Sequence, residues 1–194
     1  ITDAVYRTAV ARCFGGFSRA VAPFIQLREG KPLRPGERRQ LAAENNRDLR
    51  TIPQLVTAHA ATFSQALNEL ADLSHDQANW NLGCPSPAIA GRGRGAGLLP
   101  KPEHIAAILD QVLNNCPVQL SVEMRLGYKS PDEYAAVIDV LNQYPLAEVM
   151  IHGRTAEQMY DGAIDMERTE DVIRRCQCPC VYNGDITSAN VYMD

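Results

Sequence analysis

The segment Asn81-Leu82-Gly83-Cys84-Pro85 carries the clearest chemical signal in this 194-residue chain. A cysteine stands between a glycine, which tolerates positive φ, and a proline, which has no N–H to extend a strand ladder. The thiol is expected in a rigid turn at the mouth of a sheet, where a reactive role and a purely structural one are both open. Downstream, Gly91-Arg92-Gly93-Arg94-Gly95-Ala96-Gly97 sets glycine at every second position and reads as a mobile or ligand-hugging loop. It lacks the spacing and strand-to-helix setting of a dinucleotide fingerprint. Arg125, His152 and Asn183 follow Cys84 at successive separations of 41, 27 and 31 residues, each near the end of an apolar run.

A second thiol pattern is Cys176-x-Cys178-x-Cys180. Alternation puts all three on one side of a strand. Zinc centres prefer C-x₂₋₄-C with a second ligand pair, so a cluster of reduced thiols is expected and no metal. Six cysteines in a chain of this length, with no secretory leader pattern, point to reduced thiols in a cytoplasmic protein.

These residues need elements to position them. Apolar runs of strand type occur at 20–27, 52–58, 77–82, 118–126, 146–152 and 179–184. Helical periodicity starts at Val5, Ala9, Val10 and Cys13 and recurs at 62–72, 102–115, 130–144 and 166–176. Thr62-x-x-Gln65 resembles a capping box, and Ser130-Pro131-Asp132-Glu133 combines a cap, a first-turn proline and an acid three positions on. Strands alternating with helices mean βα units and a parallel α/β sheet. An open doubly wound sheet and a (β/α)₈ TIM barrel both satisfy that order. Cys84, Arg125, His152 and Asn183 at successive strand ends favour the barrel, whose rim gathers such ends.

Composition bounds the rest. With 45% hydrophobic and 22% charged residues, the chain is an ordinary globular protein and not a disordered one. No apolar stretch reaches the ~18 residues of a membrane span. A net charge of −4 argues against a duplex-DNA binder. Charge is segregated, however: residues 28–50 hold seven cations (Arg28, Lys31, Arg34, Arg38, Arg39, Arg47, Arg50) against four acids, whereas 151–194 hold eight acids against four arginines. The basic stretch reads as a solvated helix face and loop or as a footprint for phosphate.

Five ordered blocks then resemble the tRNA-dihydrouridine synthase family over essentially the whole chain. They are Asn81-Leu82-Gly83-Cys84-Pro85-Ser86-Pro87 with the glycine run through Leu99, Met124-Arg125-Leu126-Gly127, Ile151-His152-Gly153-Arg154-Thr155 and Tyr182-Asn183-Gly184-Asp185-Ile186, with Ile1-Thr2-Asp3 resembling the end of an N-terminal flavin-binding strand. The resemblance implies an FMN enzyme with a (β/α)₈ barrel and a C-terminal helical RNA-binding domain. In that family NADPH reduces the flavin, hydride passes to C6 of a tRNA uridine, and a cysteine protonates C5. Carried over, Cys84 is the acid, and a free thiol of pKa ~8.5 is mostly protonated near neutrality. Asn81 resembles the residue between flavin and uracil, with Arg125 and Arg154 on the substrate side. Gln54 corresponds to the glutamine on the flavin ring, His152 to a neighbour of the flavin, and Asn183, Gly184 and Asp185 to the strand end beside the ribityl chain and phosphate. Without the family, Gln54 and Asn183 also read as satisfied polar groups of a barrel rim, and His152 as a packed histidine.

The sequence departs from the family at Glu123, where the family carries a lysine against the flavin pyrimidine edge. A carboxylate there opposes the negative charge that reduced flavin accumulates, so weakened or altered flavin binding is expected. The family's first strand, its eighth βα unit with a Gly-Arg phosphate grip, and its helical domain have no counterpart in residues 1–194. The expected domain is a partial FMN-binding barrel. Two other readings remain: an FMN barrel acting on a free pyrimidine, of dihydroorotate-dehydrogenase type, and a non-catalytic remnant serving as an RNA-binding or interaction module.

Overall fold

The computed structural model describes residues 2–186. A helix start expected at Thr187-Ser188, and Ile1 of the first block, lie outside the described residues. The chain forms two compact units, one from Ile1–Asn81 with Ala107–Ser121 and the other from Leu82–Ala106 with Val122–Asp194.

In the first unit, Asp3 caps α1 (Ala4–Phe14) by accepting the Tyr6 N–H at 2.8 Å. The apolar run expected at 20–27 is two strands, β1 (Arg19–Val21) and β2 (Ile25–Gln26), and that at 52–58 is β3 (Arg50–Ile52) and β4 (Gln54–Val56). Pro23 and Pro53 stand at the breaks, where a residue without an N–H cannot sustain the ladder. β1 pairs with β3 and β2 with β4, both parallel. β4 pairs in turn with β5 (Gln77–Leu82), again parallel. Every residue of β5 is buried, as expected of a parallel strand covered on both faces. Trp80 packs on Phe63 with ring centres 5.5 Å apart, and its indole N–H donates to the Thr57 carbonyl.

Phe63, Ala66, Leu67 and Leu70 form the buried stripe of α3 (Ala60–Asp72). This helix starts before Thr62, because the His59 imidazole takes the capping role and accepts the Thr62 N–H. Within the basic stretch lies α2 (Pro35–Leu41), and three cations of that stretch are already paired, Arg34 with Glu37, Arg38 with Glu69 and Arg50 with Asp76.

The second unit holds the short helix α4 (Pro87–Ala90), a 3₁₀ turn at Gly95–Leu98 and the first residues of α5 (Pro102–Leu113). From Val122 onward, β6 (Gln119–Gly127) pairs in parallel with β7 (Val149–Thr155), which pairs in parallel with β8 (Cys180–Tyr182). Arg125 and His152 are register partners inside their strands, not at the ends, because the ladder runs on past an irregularity to Gly127 and Thr155. β7 begins three residues later than its apolar run, since Leu146 N–H closes a turn onto the Tyr144 carbonyl.

α6 (Tyr134–Leu141) likewise starts late. The box expected at Ser130 and Glu133 forms in the turn before it: Ser130 Oγ accepts the Asp132 N–H, and the Glu133 carboxylate reaches back to the Ser130 N–H and also takes those of Tyr128 and Lys129. α7 (Met166–Arg175) matches its expected span to one residue and is capped by Asp165. Every strand pair named here is parallel, so the α/β class expected from the sequence is observed. Among the described residues no helix is long and apolar enough to cross a membrane.

Candidate functional site

The first unit contributes a directed chain of buried amides. Asn81 Nδ2 donates to Gln54 Oε1 at 3.0 Å, and Gln54 Nε2 donates to Asn79 Oδ1 at 2.9 Å. Asn79 Nδ2 donates to Ser121 Oγ at 3.0 Å, and that hydroxyl donates to the Ala78 carbonyl. Gln54 and Asn81 are each 5% exposed, Asn79 and Ser121 not at all. Each amide is thereby fixed in one orientation, which a rotating side chain in water would not keep. Asn79 escaped the sequence reading, although it lies two residues before Asn81 and so on the same strand face.

In the second unit, Cys84 is half-buried just beyond β5. Its carbonyl accepts the Ala96 N–H at 3.1 Å. Gly95, at φ +53°, lies against it, and a Cβ there would come 2.9 Å from the Cys84 carbonyl oxygen and 3.2 Å from its Cβ. A Cβ on Gly97 would collide with the Ala90 carbonyl. The glycine run is therefore a packed support and not an open loop: Ala96 and Leu98 have no exposed surface. Gly83 does not adopt positive φ; its carbonyl accepts Arg125 Nε at 2.9 Å.

Arg125 is 3% exposed and grips backbone, donating to the Thr155 and Met159 carbonyls as well. Its guanidinium lies 5.2 Å from the centre of the Tyr160 ring. Met159, a residue with a side chain, is held at φ +53° by this grip, and Tyr160 is 70% exposed. Nothing in the sequence marked these two residues; their position follows from the arginine.

Arg154 forms a two-pronged pair with Asp185, and its remaining donors reach the Gly162 carbonyl. The arginine holds the Asp185 carboxyl below the usual carboxylate range. His152 sits among these cations, its Nε2 3.4 Å from an Arg154 nitrogen and its ring edge-on to Tyr160. Burial first, then Arg125 and Arg154, push the imidazole down to about 4, against a smaller opposing pull from Asp185. It is neutral at physiological pH and offers one donor and one acceptor.

Gly184 (φ +148°) presents backbone beside His152, whose Cε1 lies 3.6 Å from where a Cβ would sit. Asn183 Nδ2 donates to Glu123 Oε1 at 2.7 Å, so the departure at position 123 is joined to the end of β8.

The model of the family described as dihydrouridine synthase (Dus) matches residues 1–193. The chain belongs to the dihydrouridine synthase family. A probable tRNA-dihydrouridine synthase of Rhodobacter capsulatus is 32% identical over 190 residues, which cover 97% of this chain and 58% of the relative. The tRNA-dihydrouridine(16) synthase of Escherichia coli K12 is 36% identical over 133 residues, covering 64% of this chain and 42% of that protein. A probable tRNA-dihydrouridine synthase of Helicobacter pylori is 31% identical over 142 residues, or 71% of this chain and 42% of its own length. The chain thus spans about half the length of the curated relatives that it matches.

Proposed function

We propose that the chain is the catalytic portion of a tRNA-dihydrouridine synthase, an oxidoreductase that reduces the C5=C6 bond of a tRNA uridine, built as a (β/α)₈ barrel. The observation that carries this reading is the family match across residues 1–193, which includes Cys84 on its glycine support.

The donor sets suit a flavin. Gln54 and Asn81 are pre-oriented amides of the kind that a flavin ring's polar edge requires, His152 is a neutral imidazole, and Gly184 leaves backbone approachable. Gln54, His152, Asn183, Gly184 and Asp185 would hold flavin mononucleotide. The chemistry this group supplies when bound is hydride delivery to C6 of uracil, with NADPH as the source of electrons.

Cys84 holds the proton destined for C5, and the packed Gly95–Ala96 backbone keeps its thiol in place. Asn81 orients the base. Arg125 fixes the loop that carries Tyr160, and Arg154 fixes Asp185. On the substrate side, the roles of Arg125 and Arg154 are to shape the surface that meets RNA, since both are almost fully buried. Reduced thiols and a tRNA substrate favour a cytoplasmic setting.

The test is to incubate the chain with FMN, NADPH and unmodified tRNA and count dihydrouridine by mass spectrometry, with free uracil in parallel. Dihydrouridine in tRNA alone is the expected result. Reduction of free uracil would point instead to a free-pyrimidine dehydrogenase. Failure to take up FMN at all would favour the non-catalytic reading, for which Glu123 is the specific observation.

A further inference from the structure

The glycine run carries two side chains that the proposed chemistry leaves unused, Arg92 and Arg94, both within the second unit. The other arginines of that unit are spent inside the fold. Arg125 grips three backbone carbonyls, Arg154 pairs with Asp185, and Arg168, Arg174 and Arg175 of α7 each pair with an aspartate. Among the described residues, neither Arg92 nor Arg94 bonds through its side chain to an acid or a carbonyl. Arg92 is exposed and Arg94 half-buried. A guanidinium left without a counter-charge is free to take an anion from a ligand.

The backbone under these two residues is fixed. The Arg92 N–H donates to the Ile89 carbonyl at 3.1 Å, the Gly93 N–H to the Ala90 carbonyl at 2.9 Å, and the Gly97 N–H to the Arg94 carbonyl at 3.0 Å. Gly93 at φ +67° and Gly95 at φ +53° make turns that side chains would resist. Two residues beyond Arg94, the Ala96 N–H holds the Cys84 carbonyl. Both cations are thus mounted on the packed turn that also holds the thiol. Elsewhere the unit is hostile to phosphate, since residues 151–194 set eight acids against four arginines that are already neutralised or held by backbone.

We propose that Arg92 and Arg94 clamp the RNA strand by its phosphates, next to the uridine that Cys84 protonates. The proposal rests on the tRNA reading above. A base whose C5 faces the thiol belongs to a polymer, so its flanking phosphates must lie close to Cys84, and these are the unpaired arginines mounted there. A planar guanidinium meets two phosphate oxygens at once. Such contacts position the strand and carry no sequence information. They act alike in the ground state and the transition state, so they bear on KM more than on kcat.

The test titrates the full chain with unmodified tRNA at several salt concentrations by fluorescence anisotropy, and counts dihydrouridine with FMN and NADPH present. Each phosphate contact to a single strand contributes about 0.7 to the slope of log K against log salt. Arg92→Gln combined with Arg94→Gln is expected to flatten that slope by about 1.4 and to weaken tRNA binding roughly tenfold at low salt. KM for tRNA should rise more than kcat falls. Arg92→Lys with Arg94→Lys should restore the slope, because lysine keeps the charge. Arg174→Gln removes a charge already paired with Asp171 and should leave the slope unmoved. Equal slopes for the unaltered chain and the double glutamine variant, with both making dihydrouridine, would overturn the proposal alone. Flattening by Arg174→Gln as well would do the same. So would a rise in KM for NADPH or in Kd for FMN with the tRNA slope unchanged, which assigns the arginines to a cofactor phosphate. No tRNA binding and no dihydrouridine from the unaltered chain would remove the tRNA reading and the proposal with it.

Discussion

Cys84 and Glu123 differ in what their neighbours ask of them. The Cys84 backbone is supported by the Ala96 N–H and the bare face of Gly95, and removing its sulfur leaves that support intact. Cys84→Ala is expected to keep the fold and lose dihydrouridine formation by roughly 10²–10⁴-fold, the usual worth of a positioned proton donor. Product counting on tRNA checks this, and an unchanged rate would remove Cys84 from the proton path. Glu123 accepts from Asn183, so its carboxylate is tethered next to residues proposed to hold the flavin. Glu123→Gln keeps an acceptor for Asn183 and removes the charge, and Glu123→Lys reverses it. FMN is expected to bind the lysine variant roughly tenfold more tightly, with glutamine between, because a nearby charge reversal contributes on the order of 1 kcal/mol. Fluorescence titration measures the three affinities; equal values would sink the assignment.

The glycine run acts at the scale of an element. Alternate glycines first suggest mobility, yet here they let α4, the 3₁₀ turn at Gly95–Leu98 and the Cys84 turn pack without side chains between them. At Gly97 the obstructing atom is the Ala90 carbonyl, which belongs to backbone and cannot swing aside. Gly97→Ala should cost about 1–3 kcal/mol by overpacking and lower Tm by several degrees. Gly93, at φ +67°, has nothing within 4 Å of its Cβ position, so Gly93→Ala meets backbone strain but no collision and should cost less than Gly97→Ala. Thermal unfolding of both variants compares them directly, and an equal loss would mean that collision is not the cause. Arg125 works at the same scale, since one buried guanidinium sets the path of the segment from Thr155 to Tyr160.

For the molecule as a whole, acid stability should carry the mark of His152. An unfolded histidine takes up a proton near its ordinary value of 6.5, whereas folded His152 refuses it until about 4. Between those values the unfolded chain binds more protons, so stability falls as pH drops from about 6.5 to about 4. His75, pushed down mainly by burial, adds a loss of the same sign. Asp185, held low by Arg154, adds another as pH falls through its folded value. His152→Gln should flatten the decline without removing it. Urea midpoints at pH 7 and at pH 4.5 test this, and an unchanged difference between the two would exclude His152 as a contributor.

The order of strands and helices was legible in the amino-acid sequence because periodicity and prolines act on neighbours a few residues apart. The spans of β5, β6, α3 and α7 follow from it within a few residues, and so does the turn at Cys84. The motif blocks likewise carried the family. The partners of the site residues were not legible. Asn183 meets Glu123 across 60 residues of chain, Asn79 meets Ser121 across 42, and Gln54 meets Asn79 across 25. Those pairings depend on strand register, and a shift of one residue would turn every side chain to the other face. Arg125 shows the same division. Its sequence block announces a functional arginine, but only the folded chain shows three backbone carbonyls closing around it, because backbone acceptors carry no signature in the sequence. Sequence alone determined the family, the α/β order and which residues are candidates; tertiary structure decided which of them grip backbone, which are neutral, and which carboxylate holds Asn183.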